Sequence, residues 1–227
     1  MSPDGKTRKI VITANGPYLV SGAVPLRREV AVPNDEGDPV EWREEEELEH
    51  GEDYSLCRCG QSENKPYCDG SHLRAEFDGT ETCDRLKYEE KCRKIAGPEL
   101  ELSDAEEYCA EARFCHPEGG TWHLVRHSDN PRNSELAIAQ ACNCPSGRLT
   151  VWKDGKPIEP ELEPSIGLVE DPAADCSGPL RVKGGIPIES NDGTPYETRN
   201  RVTLCRCGHS KNKPLCDGSH RSAGFKA

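Results

Sequence analysis

Two stretches of the chain combine cysteine and histidine at spacings that can hold metal. Each runs Cys-x-Cys, eight residues, Cys, three residues, His. The candidate ligands are Cys57, Cys59, Cys68 and His72 in the first copy and Cys205, Cys207, Cys216 and His220 in the second. Thiolates and imidazoles select iron–sulfur clusters, zinc or copper over magnesium or calcium. A four-ligand set that occurs twice in nearly the same form predicts two metal sites.

The spacing bears on which metal is bound. Three cysteines and one histidine would suit tetrahedral zinc by number, but zinc sites usually space their cysteines as Cys-x(2–4)-Cys. A tighter Cys-x-Cys pair can hold one iron of a cluster from an extended loop. Cys68 and His72 are four residues apart and lie on one face of a helical turn, where they could hold the other iron. Structural zinc stays open as the alternative.

Both copies resemble the CDGSH iron–sulfur domain, a family that binds a [2Fe–2S] cluster through three cysteines and one histidine. The resemblance rests on Cys-x-Cys, on the Ser and Pro that follow, and on the string CDGSH. It implies that Cys57 and Cys59 hold one iron and that Cys68 and His72 hold the other. The second copy would repeat this arrangement with Cys205, Cys207, Cys216 and His220.

The segment between the copies carries further cysteines. Cys109 and Cys115 bracket the string AEARF, and Cys144 precedes a proline. Bacterial ferredoxins hold a cluster with closely spaced cysteines and a distant Cys-Pro. The segment resembles a divergent single-cluster ferredoxin module, with Ala112 where a central cysteine would stand. The resemblance implies a [3Fe–4S] cluster on Cys109, Cys115 and Cys144, or a [4Fe–4S] cluster completed by Cys142 or Cys92.

The alternative for this middle segment is that several of its thiols are small buried hydrophobic groups. Cys83 and Cys176 flank the segment without a partner motif and are interpreted as structural or free thiols. His116 follows Cys115 directly and is the one other histidine of interest here.

Composition predicts an α+β fold of small β-rich modules with metal-stapled loops. Hydrophobic residues make up 33% of the chain, too little for one large core, and metal binding can supply the missing folding free energy. We predict three domains: a first CDGSH-type unit at 1–79, a ferredoxin-like middle module at 80–177, and a second CDGSH-type unit at 178–227.

The duplication extends beyond the ligand loops. Residues 16–26 align with residues 178–188, and both stretches are predicted to form short strands, with a further strand at 9–13. Family members are typically homodimers with an intertwined β cap. The resemblance therefore implies that this chain builds an internal pseudo-dimer within one monomer, around the ferredoxin-like insert.

The first unit contains an acidic insert at residues 34–53, which we predict to be a solvated helix or loop. A docking site for a basic electron-transfer partner is the alternative. The net charge of −12 argues against nucleic acid and anionic membranes as partners. The polar start of the chain and the lack of a long apolar run favour the cytoplasm, where cysteines stay reduced and free to bind metal.

These features predict one-electron transfer by two [2Fe–2S] clusters and a third cluster, with a soluble redox protein or an apo iron–sulfur protein as partner. A cluster carrier or redox and pH sensor is the first alternative, because a histidine ligand makes a cluster protonatable. A zinc-stapled interaction protein is the second alternative. The sequence has no dinucleotide-binding loop, P-loop or nucleophile elbow, which favours a protein without its own substrate site.

Overall fold

The computed structural model describes residues 7–227, which form an α+β fold of three small sheets and short helices. The first sheet has the strand order β12-β1-β2-β5. Its strands are β1 (Lys9–Ile12), β2 (Tyr18–Ser21), β5 (Tyr54–Leu56) and β12 (Ile188–Ser190). Strand β12 runs parallel to β1, and the other pairs are antiparallel. The strands predicted at 9–13 and within 16–26 are confirmed.

The second sheet has the order β13-β11-β10-β3-β4. Its strands are β3 (Leu26–Pro33), β4 (Pro39–Glu47), β10 (Ser165–Asp171), β11 (Cys176–Lys183) and β13 (Arg201–Leu204). Strand β3, from the first unit, lies parallel to β10. Strand β10 falls within the range assigned to the middle module by sequence, but it pairs with β3 and β11. Each sheet therefore includes strands from distant parts of the chain.

Alternating apolar residues give these two sheets a shared core. Strand β1 buries Ile10 and Ile12, and β11 contributes Leu180 and Val182 to the same hydrophobic cluster. Side chains of a strand point alternately to its two faces, so this period of two places the apolar residues on one face. The ligand-bearing loops begin directly after β5 and β13, and this core therefore fixes where both Cys-x-Cys pairs start.

The middle module has its own core and sheet. Its strands, in the order β6-β7-β8-β9, are Arg93–Ala96, Glu101–Asp104, Leu149–Lys153 and Lys156–Ile158. Helices α3 (Thr121–Arg126) and α4 (Pro131–Asn143) pack on it, and Asn130 caps α4 by accepting the Arg132 N–H. The remaining helices are α1 (Ser71–Arg74), α2 (Tyr88–Lys91) and α5 (Ser219–Ser222).

The prediction of a helix or loop for the acidic insert is wrong for residues 39–47, which form β4 at the edge of the second sheet. Lys183 gives the physical reason. Glu29 and Glu44 face each other across β3 and β4, and Lys183 forms ion pairs with both carboxylates. A buried cation thus offsets a repulsion that would otherwise disfavour this pairing.

Within the described residues 7–227, no helix is both long and apolar enough to span a membrane.

Candidate metal centres

In the first ligand loop, the backbone brings the four candidate ligands into two pairs. Cys57 donates its N–H to Pro66 O at 2.8 Å, and Cys68 donates its N–H to Ser55 O at 2.9 Å. These bonds fold the loop back onto β5. The Cys57 and Cys59 Sγ atoms are 3.7 Å apart, and the Cys68 Sγ lies 3.4 Å from His72 Nδ1.

The second loop repeats this geometry. Cys205 donates its N–H to Pro214 O at 2.8 Å, and Cys216 donates its N–H to Thr203 O at 2.9 Å. The thiol sulfurs of Cys205 and Cys207 are 3.6 Å apart. The thiol of Cys216 lies 3.4 Å from His220 Nδ1. In each copy the histidine therefore presents Nδ1, not Nε2, to its cysteine.

These distances suit ligands of tetrahedral metals. Two sulfurs bound at about 2.3 Å to one tetrahedral metal lie about 3.8 Å apart, and a sulfur and an imidazole nitrogen lie about 3.5 Å apart. Each loop therefore offers one sulfur–sulfur pair and one sulfur–nitrogen pair. Among residues 7–227, no three His, Cys, Asp or Glu side chains converge on a position for a single ion.

An aspartate holds the turn before each histidine helix. Asp69 accepts the N–H groups of Ser71 and Glu63, both at 2.9 Å. The hydrogen bonds from Ser71, followed by that from Glu63, lower the pKa of Asp69. Asp217 makes the corresponding bonds in the second copy. In both copies the aspartate of CDGSH therefore accepts the first backbone N–H of the short helix that carries the histidine.

A buried arginine stands between the two cysteines of each Cys-x-Cys pair. Arg58 is 2% exposed, donates to the carbonyls of Thr13 and Gly79, and lies over the Tyr18 ring. Arg206 donates to Glu170 and to backbone carbonyls of the second sheet. Sequence reasoning assigned these arginines no role. The sequence did contain a signal for them, because an arginine lies between the paired cysteines in both copies.

The two loops touch each other behind their Cys-x-Cys pairs. A Cβ on Gly60 would lie 2.4 Å from Cys207 O, and a Cβ on Gly208 would lie 2.4 Å from Cys59 O. Both glycines have a positive φ, of 76° and 84°. Glycine is needed at both positions for close approach as well as for backbone conformation.

Burial distinguishes the two copies. His72 and Cys68 are partly exposed, whereas His220 is 5% and Cys216 is 2% exposed. Burial, and then the charges of Arg206 and Arg221, lower the pKa of His220 to about 4. Burial and the nearby Cys205 thiolate raise the pKa of Cys216.

The middle module contains a cavity of about 330 Å³. The three cysteines singled out by sequence, Cys109, Cys115 and Cys144, all line it, and so does His116. Burial raises the pKa of Cys115 to about 12, with smaller contributions from the Cys144 and Cys109 thiolates. The structure therefore brings this predicted set together.

The other cysteines considered for the middle module lie outside the cavity lining. The Cys142 Sγ approaches Ile158 O at 3.9 Å, and the Cys92 Sγ approaches Glu89 O at 3.8 Å. Cys83 and Cys176 are buried free thiols. Neither candidate for a fourth ligand is therefore grouped with the three cavity cysteines.

Arg148, one of three arginines that line the cavity, is held in place by neighbouring side chains. Arg148 donates to the buried Asp104 carboxylate at 2.7 and 3.2 Å, and Trp122 Nε1 donates to the same carboxylate at 2.9 Å. Burial lowers the pKa of Arg148, but its bonds to Asp104 and the nearby Cys109 thiolate outweigh this and raise it. Sequence reasoning missed Arg148, because Asp104 is distant in sequence.

A second arginine ties the Cys144 loop to the second unit. Arg201, on β13, is 1% exposed and donates to the carbonyls of Ala141 at 2.7 Å and of Cys144 at 2.8 Å. Its remaining donors form an ion pair with Glu159 at 2.6 Å. The end of α4, and with it the Cys144 loop, is thereby fixed to the strand that leads to Cys205. No pattern in the sequence indicated this contact.

Small sheets that present thiolate and imidazole sets on short loops define a metal-binding protein of α+β modules. Two regions, 15–73 and 177–221, match the family described as iron-binding zinc finger CDGSH type. Residues 95–154 match the family described as divergent 4Fe-4S mono-cluster. The chain is therefore a tandem CDGSH protein with a divergent mono-cluster module between its copies. These matches support iron–sulfur binding.

No curated protein and no solved structure shows a match to this chain.

Proposed function

We propose that the protein binds two [2Fe–2S] clusters and a third cluster in the middle module, and that it acts in one-electron transfer. The ligands would be Cys57, Cys59, Cys68 and His72 for the first cluster, Cys205, Cys207, Cys216 and His220 for the second, and Cys109, Cys115 and Cys144 for the third.

The pairing of ligands within each loop carries this proposal. A single zinc ion would draw three thiolates and an imidazole to one point. Each loop instead offers two separate pairs, with the sulfurs of Cys57 and Cys59 3.7 Å apart and Cys68 Sγ 3.4 Å from His72 Nδ1. One pair per iron is the arrangement that a two-iron cluster needs. The zinc-stapled alternative is correspondingly disfavoured.

The middle cavity supports a third cluster through its three thiols. Cys109, Cys115 and Cys144 line one cavity, and they lie within residues 95–154, which match the family described as divergent 4Fe-4S mono-cluster. Three protein ligands suit a [3Fe–4S] cluster or a [4Fe–4S] cluster with one iron bound by another group. Arg148 would offset the negative charge of the cluster and its thiolates, with Asp104 and Trp122 holding the guanidinium in place.

The bound clusters would supply one-electron chemistry, and the protein would set their reduction potentials. Replacing a thiolate by a neutral imidazole makes a site less negative, so we expect potentials between those of plant-type ferredoxins and Rieske centres. Arg58 and Arg206 would hold the two Cys-x-Cys loops in place through their hydrogen bonds to backbone carbonyls.

We further propose that the chain forms an internal pseudo-dimer. The first sheet and the second sheet correspond strand by strand. The order β12-β1-β2-β5 of the first sheet matches the order β3-β10-β11-β13 within the second sheet. The counterparts are β1 and β10, β2 and β11, β3 and β12, and β5 and β13. In this scheme β3 and β12 are swapped between the two halves, because β3 pairs with β10 and β12 pairs with β1. The reciprocal contacts of Gly60 and Gly208 lie where the two halves would meet.

Cluster donation to an apo iron–sulfur protein is the second candidate function. The partial exposure of Cys68 and His72 favours it for the first site. A one-electron redox protein is the partner expected for the first function, and an acceptor with free thiols is the partner expected for the second.

Electron paramagnetic resonance during a redox titration tests the proposal. The reduced protein is expected to show [2Fe–2S] signals. The third cluster should give a signal in the reduced protein if it is [4Fe–4S], or in the oxidised protein if it is [3Fe–4S]. Cys59→Ala should remove one [2Fe–2S] component, Cys207→Ala the other, and Cys115→Ala the third signal. Cys83→Ala, at a buried thiol that belongs to none of the three proposed ligand sets, is the control and should leave every signal in place. Protein that gives no cluster signal in any redox state would refute the proposal.

A further inference from the structure

The two CDGSH-type loops are nearly identical in sequence but are covered differently. At the second site the middle module lies against the histidine helix. A Cβ on Gly218, the residue before α5, would lie 2.5 Å from the Glu111 Cγ. Glu111 belongs to the segment between Cys109 and Cys115 and lines the middle cavity. We call this segment between Cys109 and Cys115 the cover of the second site. The cover is therefore also part of the third candidate site.

Two further contacts hold this cover in place. The Arg221 guanidinium, on α5, lies 3.7 Å from the Glu111 carboxylate, and Arg221 also lines the middle cavity. Asn212 in the second ligand loop donates its Nδ2 hydrogen to Glu107 O at 3.1 Å. Under this cover, His220 is only 5% exposed.

The first site lacks the corresponding cover. Gly70 has nearly the same φ as Gly218, 84° against 85°, yet a Cβ there would meet no atom of residues 7–227 within 4 Å. Leu73 occupies the place of Arg221 and is 76% exposed. Since the local backbones match, the difference in access comes from what packs around the motif. At the second site these neighbours are Glu111 of the middle module, beside Gly218, and strand β11, against α5.

We propose that the two sites are functionally unequal: the first is open to exchange with a thiol-bearing acceptor, and the second is retained beneath the middle module. This inference rests on the proposed binding of a [2Fe–2S] cluster at each site. In exchange the whole cluster moves, as its bonds to Cys57, Cys59, Cys68 and His72 break and bonds to acceptor thiolates form. Protons released by the acceptor pass to the vacated thiolates and to solvent, and no electron is transferred.

Cluster removal by an iron chelator at constant pH tests this inequality. Two full-length variants each keep one [2Fe–2S] site: Cys57→Ala with Cys59→Ala leaves the second, and Cys205→Ala with Cys207→Ala leaves the first. The third cluster also absorbs visible light, so the rate is read from the loss of the [2Fe–2S] signal in electron paramagnetic resonance of reduced samples. We expect the first site to lose its cluster at least severalfold faster than the second. Equal rates, or faster loss from the second site, would overturn the inference.

Variants that keep every ligand test the cover itself. Glu111→Ala removes the contact and should raise the rate of loss from the second site severalfold, while leaving the first unchanged. Gly70→Ala and Gly218→Ala form a matched pair with equal backbone strain, and Gly218→Ala alone also displaces Glu111. Gly218→Ala should therefore accelerate loss from its own site by a larger factor than Gly70→Ala does. Equal factors would contradict the role of Glu111.

Iron and sulfide content separates this inference from the function on which it rests. Protein that contains neither iron nor sulfide would refute the proposed clusters. Protein that contains both clusters but loses them at one common rate would refute only the inequality.

Discussion

The carbonyl oxygen of Cys207 occupies the space that a side chain on Gly60 would need, since a Cβ there would lie 2.4 Å away. Gly208 has the same relationship to the carbonyl of Cys59. The residue after each Cys-x-Cys pair thus fits against the Cys-x-Cys pair of the other copy. The two ligand loops share one packed contact, so a change in one should be felt by the other.

Gly60→Ala should destabilise the protein more than Gly70→Ala. Both residues have a positive φ, and an L side chain in that region costs about 1–2 kcal/mol. Only at Gly60 does the added Cβ also meet the Cys207 carbonyl. Denaturant unfolding measures the difference, and equal losses in the free energy of unfolding would show that the contact between loops is loose.

The same Gly60→Ala variant should perturb the second [2Fe–2S] signal in electron paramagnetic resonance, although Gly60 lies in the first loop. Gly70→Ala serves as the control and should leave the second signal unchanged.

Arg201→Met should destabilise the middle module and its cluster. The substitution removes the guanidinium that joins the carbonyls of Ala141 and Cys144 to the Glu159 carboxylate. Hydrogen bonds to a charged group contribute about 1.5–3 kcal/mol, so we expect a loss of about that size. Thermal unfolding and the third cluster signal report the effect.

The matched control is Arg132→Met, because the ion pair of Arg132 with Glu118 is exposed and contributes little. If Arg201→Met and Arg132→Met unfold at the same temperature, the role assigned to Arg201 is contradicted.

Arg148→Gln should lower the reduction potential of the third cluster. The guanidinium lines the cavity beside Cys109, and a nearby positive charge stabilises the added electron. A shift of about 60 mV would correspond to a tenfold change in the equilibrium constant for one electron.

Arg93→Gln is the control for Arg148→Gln. Arg93 pairs with the same Asp104 carboxylate, but its side chain is 63% exposed. A redox titration that gives both variants the same potential would refute a specific effect of Arg148.

Acid should release the first cluster at higher pH than the second. Protons compete with iron for an imidazole, so a lower pKa of the histidine means that a lower pH is needed for release. Burial, and then the charges of Arg206 and Arg221, lower the pKa of His220 to about 4, whereas His72 is partly exposed. The [2Fe–2S] signal of each single-site variant, measured by electron paramagnetic resonance on samples reduced after acidification, gives the two midpoints.

His72→Cys and His220→Cys should each retain a cluster, lower its potential and reduce its loss in acid. Unchanged acid sensitivity in both variants would contradict the assignment of these imidazoles as the protonatable ligands.

Sequence reasoning identified the candidate ligand sets because their information is local. Cys68 and His72 share a helical turn, and the Cys-x-Cys pairs follow single strands. Even Cys144, distant from Cys109, was identifiable from its proline. The short strands at 9–13, 16–26 and 178–188 were likewise predicted from local sequence patterns.

The remaining features depend on long-range packing that the sequence does not encode locally. The acidic insert forms a strand because Lys183, far along the chain, offsets its charge. Arg148 and Arg201 act through partners more than 40 residues away. The unequal cover of the two sites depends on Glu111, which meets Gly218 only after the middle module has folded.

The most direct test of the central claim is the content of iron, acid-labile sulfide and zinc per chain in protein purified without oxygen. Two [2Fe–2S] clusters and a third cluster predict about seven or eight irons with a similar amount of sulfide. About four of each would leave the two CDGSH-type sites and remove the third cluster. Zinc without sulfide would contradict the account and would indicate a metal-stapled scaffold.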